Sequence, residues 1–282
     1  MTNMPQLTQR MSFKVMARRA WCWLGVSAGL LLLHAGPAWA QATVLQRADG
    51  ARLAALVDVP AGTARVPAVV LAPGQGYHMG LPALASTAQA LQAQGLVVFR
   101  FNWAYLGAEP PGQPSPDLAL ELQDLQAVLQ AVRAHPRVDP QRIIVAGKSL
   151  GSVVAWRAFT ADAQLQAALL LTPVCSRVPQ GGGAPRPEGP QNYPGLAAER
   201  RPSLWIAGDA DPLCEPGALY ALAASAPKRP RVAIVGGDHG FEDRARPAAE
   251  GEAFRAANLK AVAALAAGFV AEVSGARPGP AP

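Results

Sequence analysis

Downstream of residue 66, short apolar runs alternate with longer stretches whose apolar positions recur every three or four residues. Pro67 to Ala72 reads as a strand buried on both faces, ending at the Pro73-Gly74 turn, and Leu96 to Phe101 reads as the next strand. Between them, Ala83 to Gln94 reads as a helix with Leu84, Thr87 and Leu91 on one stripe and Gly95 as its stop. Residues 107–116 hold four prolines and two glycines and form a loop. Asp117 to Ala134 reads as a long helix whose buried face is Leu118, Leu122, Leu125, Val128, Leu129 and Val132. The alternation continues with Arg142 to Gly147, Ala167 to Leu171, Ser203 to Ala207 and Arg231 to Val235 as strands. Gly151 to Ala161, Pro216 to Ala224 and Glu250 to Val273 read as helices. Mostly apolar strands separated by helices predict an α/β fold with a mostly parallel sheet covered on both sides. Upstream, Thr43–Gln46 and Arg52–Asp58 read as a pair of edge strands joined around Asp49-Gly50. The exception to the alternation is Pro173 to Pro202, an irregular connection rich in proline and containing Gly181-Gly182-Gly183. A connection of that length is functional or disordered. It leaves no room for a large cap domain. Gly275 to Pro282 reads as a flexible tail, and no internal repeat is visible.

The first forty residues follow another pattern. Arg10, Lys14, Arg18 and Arg19 precede an apolar run from Trp21 to Leu33 and the small-residue sequence Ala38-Trp39-Ala40, with no acidic residue before Asp49. These are the three regions of a secretory signal peptide, with cleavage expected after Ala40. The run is short for a transmembrane span, which needs about 20 apolar residues, although an uncleaved anchor is the competing reading. The expected organisation is therefore a signal peptide at 1–40, one domain at 41–274 and the tail at 275–282, with the mature protein periplasmic or secreted and free of the membrane.

That division changes the charge argument. Four of the 25 basic residues and none of the 19 acidic residues lie in the first forty, which leaves 21 against 19. A mature net charge of +2, with no basic run, gives no footprint for nucleic acid. Cys175 and Cys214 remain after cleavage. Each follows a predicted strand near the same sheet edge, so one disulfide in an oxidising compartment and two free buried thiols both remain open.

The chemistry-bearing motif is Gly147-Lys148-Ser149-Leu150-Gly151, set between a buried strand and a helix start. Gly-x-Ser-x-Gly in that context is a nucleophile elbow, a turn too tight for side chains at its glycines, which lifts the serine hydroxyl above the sheet. An ordinary turn with Ser149 as a helix cap is the plainer alternative. A serine needs a base. Of the three mature histidines, His135 ends a helix before Pro136, while His239 follows the last strand in Gly236-Gly237-Asp238-His239-Gly240-Phe241. Loops at the carboxyl ends of parallel strands face the ligand crevice, which selects His239. Two carboxylates, Asp209 and Asp211, follow the penultimate strand. Asp211, followed by Pro212-Leu213, is taken as the group that orients the imidazole, and Asp209 as a turn residue or a partner within its loop.

The elbow, the Gly208-Asp209-Ala210-Asp211-Pro212 stretch and the Asp238-His239-Gly240-Phe241 stretch together resemble the α/β-hydrolase superfamily over about Val66 to Leu265. The branch it most resembles is that of compact bacterial hydrolases near dienelactone hydrolase and the serine aminopeptidase-like group. Dienelactone hydrolases carry cysteine at the nucleophile, where this chain has Ser149. The resemblance implies a Ser149–Asp211–His239 triad in the chain order of that fold. It also implies an oxyanion hole from the backbone N–H of Leu150 and from the Pro73-Gly74-Gln75-Gly76-Tyr77 loop, with Gln75 the donor and Gly76 its alternative. Tyr77, His78, Trp103 and Tyr105 follow strands on the crevice side; Gly76, Tyr77 and Trp103 are the residues expected to line a substrate pocket. Lys148 is placed to reach over the sheet edge toward a neighbouring carboxylate.

The reaction expected is cleavage of an ester, thioester or amide of a small molecule through an acyl-serine. A non-catalytic binding protein on the same scaffold is one rival, and acyl transfer by the same triad is another. No metal-ligand spacing appears in the sequence. No cofactor is expected either: Gly74-Gln75-Gly76 begins like a dinucleotide motif, but Met79 stands where the third glycine belongs.

Overall fold

The computed structural model describes residues 40–177, 179 and 183–276. The expected signal peptide up to residue 39 and the tail from residue 277 lie outside the described residues. In chain order the elements are β1 (Ala40–Gln46), β2 (Arg52–Asp58), β3 (Val66–Ala72), α1 (Pro82–Ala93), β4 (Val97–Phe101), α2 (Ala119–Ala134), β5 (Val138–Lys148) and α3 (Leu150–Ala161). They continue with β6 (Leu165–Leu171), β7 (Ser176–Arg177), β8 (Arg186–Pro187), α4 (Gly189–Asn192), β9 (Ser203–Gly208), α5 (Pro216–Ala224), β10 (Arg231–Val235) and α6 (Ala248–Ser274).

Eight strands form one sheet in the order β1-β2-β4-β3-β5-β6-β9-β10. β2 is antiparallel to both of its neighbours and every other pair is parallel. The central strands are buried on both faces because side chains alternate between two cores. In β3, Ala68, Val70 and Ala72 join the core under α2 and α3, whereas Val69 and Leu71 join the core under α1 and α6. Helix α6 is long and apolar enough to cross a membrane by length and composition. Here its Leu259, Val262, Ala266, Phe269 and Val270 are buried against the sheet, as in the core helix of a globular domain.

Two departures from the sequence reading have local causes. β5 begins at Val138 rather than Arg142, because Val138 pairs with Val66 across an irregularity in the ladder. α2 begins at Ala119 because Leu118 is left-handed (φ 59°) and the Asp117 carboxylate accepts the Ala119 N–H at 3.0 Å. The same helix buries two carboxylates that periodicity does not flag. Glu121 accepts the Ser115 hydroxyl at 2.6 Å, and Asp124 accepts Arg47 Nη1 and the Ala104 N–H, both at 2.8 Å. Buried acids are tolerated only with such partners, and here they tie the proline-rich loop and the β1–β2 turn to the helix.

The connection between β6 and β9 contains the short β7–β8 hairpin, α4 and a single turn of 3-10 helix at Leu196–Ala198. No cap domain is inserted among the described residues. The chain crosses from β4 over β3 to β5, so the strand order reverses at β3 and β5. Ligand crevices of open α/β sheets lie at the carboxyl ends of strands around such a reversal.

Candidate active site

The turn from β5 into α3 is where the sequence leaves least freedom. A β-carbon on Gly147 would overlap the Gly151 carbonyl, and one on Gly151 would overlap the carbonyl of Ala72. Between them Ser149 takes φ 54° and ψ −124°, a conformation that costs a side-chain-bearing residue about 1–3 kcal/mol. The turn is held from several sides. Ser149 N–H donates to the Leu171 carbonyl at 3.0 Å, and the Ser149 carbonyl accepts both the N–H and the hydroxyl of Ser152, at 2.8 and 2.6 Å. With that hydroxyl committed, the Tyr193 phenol donates to Ser152 Oγ at 2.9 Å while accepting the Val174 N–H at 2.6 Å. Burial pushes the Tyr193 phenol far up, so it stays protonated and the chain of donors keeps one direction.

The loops after β10 and β9 bring up the two other groups. His239 Nε2 lies 2.7 Å from Ser149 Oγ, and His239 Nδ1 lies 2.8 Å from Asp211 Oδ2. A carboxylate only accepts, so Nδ1 carries the proton and Nε2 is left to accept the serine proton. Asp211 is fully buried, and its other oxygen accepts the Leu213 N–H at 2.9 Å. Asp209 instead accepts the Gly237 N–H at 2.7 Å, tying the β9 loop to the β10 loop. The structure thus separates the two acids that compete in the sequence. It also joins Cys175 to Cys214 by a disulfide (Cα–Cα 4.6 Å), which fastens the Asp211 loop to the segment after β6.

The β3–α1 loop lies directly beside the nucleophile: a β-carbon on Gly74 would sit 3.3 Å from Ser149 Cβ. Gln75 and Leu150 line the same cleft as Ser149. The Leu150 N–H is the first of α3 and has no intrahelical acceptor. Gly76 differs, since its N–H is given to the Tyr105 phenol at 3.3 Å. Of the two donors considered in that loop, Gln75 is the one left available.

One of the expected pocket residues is placed elsewhere. Trp103 is a correction: it is 1% exposed, packs edge-on against Phe101 and donates its indole N–H to the Pro73 carbonyl at 3.0 Å. It supports the β3 loop from beneath because the chain turns inward after β4. Tyr77 stays close to the nucleophile: its ring packs against Gly74, whose β-carbon position is 3.3 Å from Ser149 Cβ, and lies 5.4 Å from the Lys148 ammonium. Among the described residues Lys148 reaches no carboxylate; its Nζ donates to the His239 carbonyl at 2.8 Å and to Thr172 Oγ1 at 3.1 Å. His135 ends α2, edge-on to Phe99, far from this chemistry in the fold.

The cleft, of about 790 Å³, opens beside Ser149. Its floor is Leu150, Val153 and Arg157 of α3; one wall is the Gln113–Leu118 loop and the other is formed by Val174, Ser176 and Asn192. The proline-rich loop was visible in the sequence as a loop on the carboxyl side of a strand, but its role as a wall was not. Asn192 and Tyr193 carry no local signal at all.

An arrangement of this kind can take the Ser149 proton onto His239 while a carbonyl oxygen is received by the N–H groups of Leu150 and Gln75. Comparison with known proteins agrees with the architecture. Residues 65–271 match the family described as alpha/beta hydrolase domain, and the chain belongs to that family. A polyketide transferase of Aspergillus fumigatus is 31% identical over 118 residues, a match that takes in 41% of this chain and 39% of that protein. The chain thus matches less than half the length of that relative. Among solved structures, a lidless α/β serine hydrolase of Xanthomonas campestris has a TM-score of 0.60 at 23% identity, over 86% of this chain and 98% of that one. An esterase of the planctomycete Thermogutta terrifontis has a TM-score of 0.63 at 21% identity, over 85% and 96% of the two chains. At these identities the likeness is one of fold.

Proposed function

We propose that this protein is a serine hydrolase that cleaves an ester, thioester or amide through an acyl-serine intermediate. The observation that carries the reading is the unbroken relay from Ser149 Oγ to His239 Nε2 (2.7 Å) and from His239 Nδ1 to Asp211 Oδ2 (2.8 Å). In the first step Ser149 Oγ attacks the carbonyl carbon as its proton passes to His239, and Asp211 stabilises the imidazolium. The tetrahedral oxyanion is received by the Leu150 and Gln75 N–H groups, each worth about 3–4 kcal/mol to the transition state. His239 then protonates the departing alcohol, thiol or amine. Water, deprotonated by the same imidazole, releases the acid and restores Ser149. The residues named need no metal and no organic cofactor for these steps. Export follows as part of the proposal, on the basic, apolar and Ala-x-Ala pattern of the first forty residues.

The test is labelling of the purified protein with a fluorescent fluorophosphonate, comparing wild type with Ser149→Ala and His239→Ala. Labelling lost in both variants is the expected result. A well-folded wild type that takes no label would remove the hydrolase reading and leave a binding protein. A second reading, acyl transfer, draws on the partial match to the polyketide transferase. It uses the same acyl-serine and differs in the acceptor, so the ratio of transferred to hydrolysed product with an added alcohol separates the two.

A further inference from the structure

We propose that the cleft accepts an acyl group ending in an anion, with Arg157 binding a carboxylate at the end remote from Ser149. The proposal rests on the acyl-serine reading above and names the substrate class for that site. Leu150, Val153 and Arg157 are spaced three and four apart on α3, so they share one face, and all three line the cleft. The helix rises about 1.5 Å per residue, which puts the Arg157 backbone roughly 12 Å along the helix from the nucleophile. Leu150 and Val153 give that stretch of the helix face an apolar surface, and Pro116, Leu118 and Leu213 also line the cleft. A hydrocarbon chain fits that stretch, and a cation waits at its end.

The charge at that end is uncompensated. Among the described residues no carboxylate lies within 4.0 Å of Arg157, whose recorded hydrogen bond runs from Nη1 to the Asp117 carbonyl at 2.6 Å. A guanidinium carries five N–H donors, so one carbonyl leaves most of the fork available. The carboxylate that does line the cleft, Glu188, is engaged by Arg177 Nε at 2.7 Å. An anion entering the far end therefore meets net positive charge, and a planar fork is suited to a carboxylate. An apolar-to-cationic gradient leading away from the nucleophile selects an ω-carboxyacyl ester over the plain fatty acyl ester of equal length.

The experiment compares kcat/KM for p-nitrophenyl octanoate and for the mono-p-nitrophenyl ester of octanedioic acid, in wild type, Arg157→Gln and Arg157→Lys. Wild type should prefer the carboxylated ester by about 10- to 100-fold, the worth of one charged hydrogen-bonded contact, with the gain mainly in KM. The ratio should collapse toward one in Arg157→Gln and survive in part in Arg157→Lys. Because each ratio is internal to one variant, a general loss of activity does not mimic the result. Fluorophosphonate labelling run in parallel separates the failures. A labelled wild type that prefers octanoate, or a preference that persists in Arg157→Gln, overturns the anion site alone. An unlabelled wild type overturns the acyl-serine reading and this proposal with it.

Discussion

Lys148 Nζ donates a 2.8 Å hydrogen bond to the backbone carbonyl of His239, so the residue before the nucleophile holds the loop that carries the imidazole. The second bond, to Thr172 Oγ1 at the end of β6, fixes the ammonium between two strand ends. The side chain is only 4% exposed. Burial pushes its pKa from 10.5 down to about 8, against the opposing pull of Asp211, Asp238 and Glu242 and with a small contribution from Arg255.

Lys148→Met should therefore act through His239. The loop loses its tether, and kcat should fall while KM for a small ester stays near its wild-type value. Lys148→Arg should restore little, since a planar fork does not fit a site built around a point charge. Stability supplies a second readout. The folded pKa lies below the unfolded one, so the buried ammonium is a full liability below pH 8. Wild type then gains stability relative to Lys148→Met as pH rises from about 8 to 10.5, by up to about 3 kcal/mol. A difference between the two proteins that is flat over that window in urea titrations sinks the assignment.

The two acids after β9 should separate in function. Asp211→Asn removes the acceptor that fixes the imidazole tautomer and should lower kcat by about 10⁴-fold without unfolding the protein. Asp209→Asn weakens the Gly237 N–H bond between two loops and should cost about 1 kcal/mol of stability, with activity largely kept. Comparable activity losses in both variants would contradict the split.

How much of this was legible in sequence depends on how local the cause is. Pro216–Ala224 and Arg231–Val235 match the observed elements residue for residue, because a proline start and a β-branched run are signals carried by the segment itself. The glycines of the elbow are legible for the same reason. Choosing Asp211 over Asp209 rested on the Pro212-Leu213 that follows it, since both acids follow one strand by one turn. Trp103 misled because position at a strand end says nothing about whether a side chain turns up to the crevice or down to Phe101. Glu121 and Asp124 are not among the apolar positions that mark the buried face of α2; their burial depends on Ser115, on Arg47 some seventy residues upstream, and on a loop amide. No window of sequence contains those partners. Arg157 did leave a trace, as a cation continuing the apolar face of α3 eight residues after the nucleophile.

The strained backbone at Ser149 can be measured by comparing two inactive variants. Ser149→Ala and Ser149→Gly both lose the hydroxyl and its bond to His239, but alanine keeps a β-carbon at φ 54° whereas glycine does not. Relief of strain outweighs the greater freedom of glycine in the unfolded chain, so Ser149→Gly should be more stable than Ser149→Ala by about 1 kcal/mol. Equal or reversed midpoints in chemical denaturation would show that the elbow stores no such strain.

The disulfide between Cys175 and Cys214 offers a test that reaches both stability and the cleft. The cysteines are 39 residues apart, and a closed loop of that size removes about 4 kcal/mol of chain entropy from the unfolded state in the simplest treatment. The loops it joins are already docked, because the N–H groups of Cys175 and Ser176 both donate to the Leu213 carbonyl, at 2.9 and 2.8 Å. The folded site should therefore survive reduction, at the expense of stability rather than of the triad. Cys214→Ser should lower the urea midpoint while leaving fluorophosphonate labelling of Ser149 intact in the absence of denaturant. Wild type in excess reductant should fall to the same midpoint, and the variant should not respond to reductant. Because Val174, Ser176 and Leu213 line the cleft, the looser wall should raise KM for long acyl esters more than for short ones. A wild-type midpoint unmoved by reductant would mean that the two sulfurs contribute only as buried apolar groups.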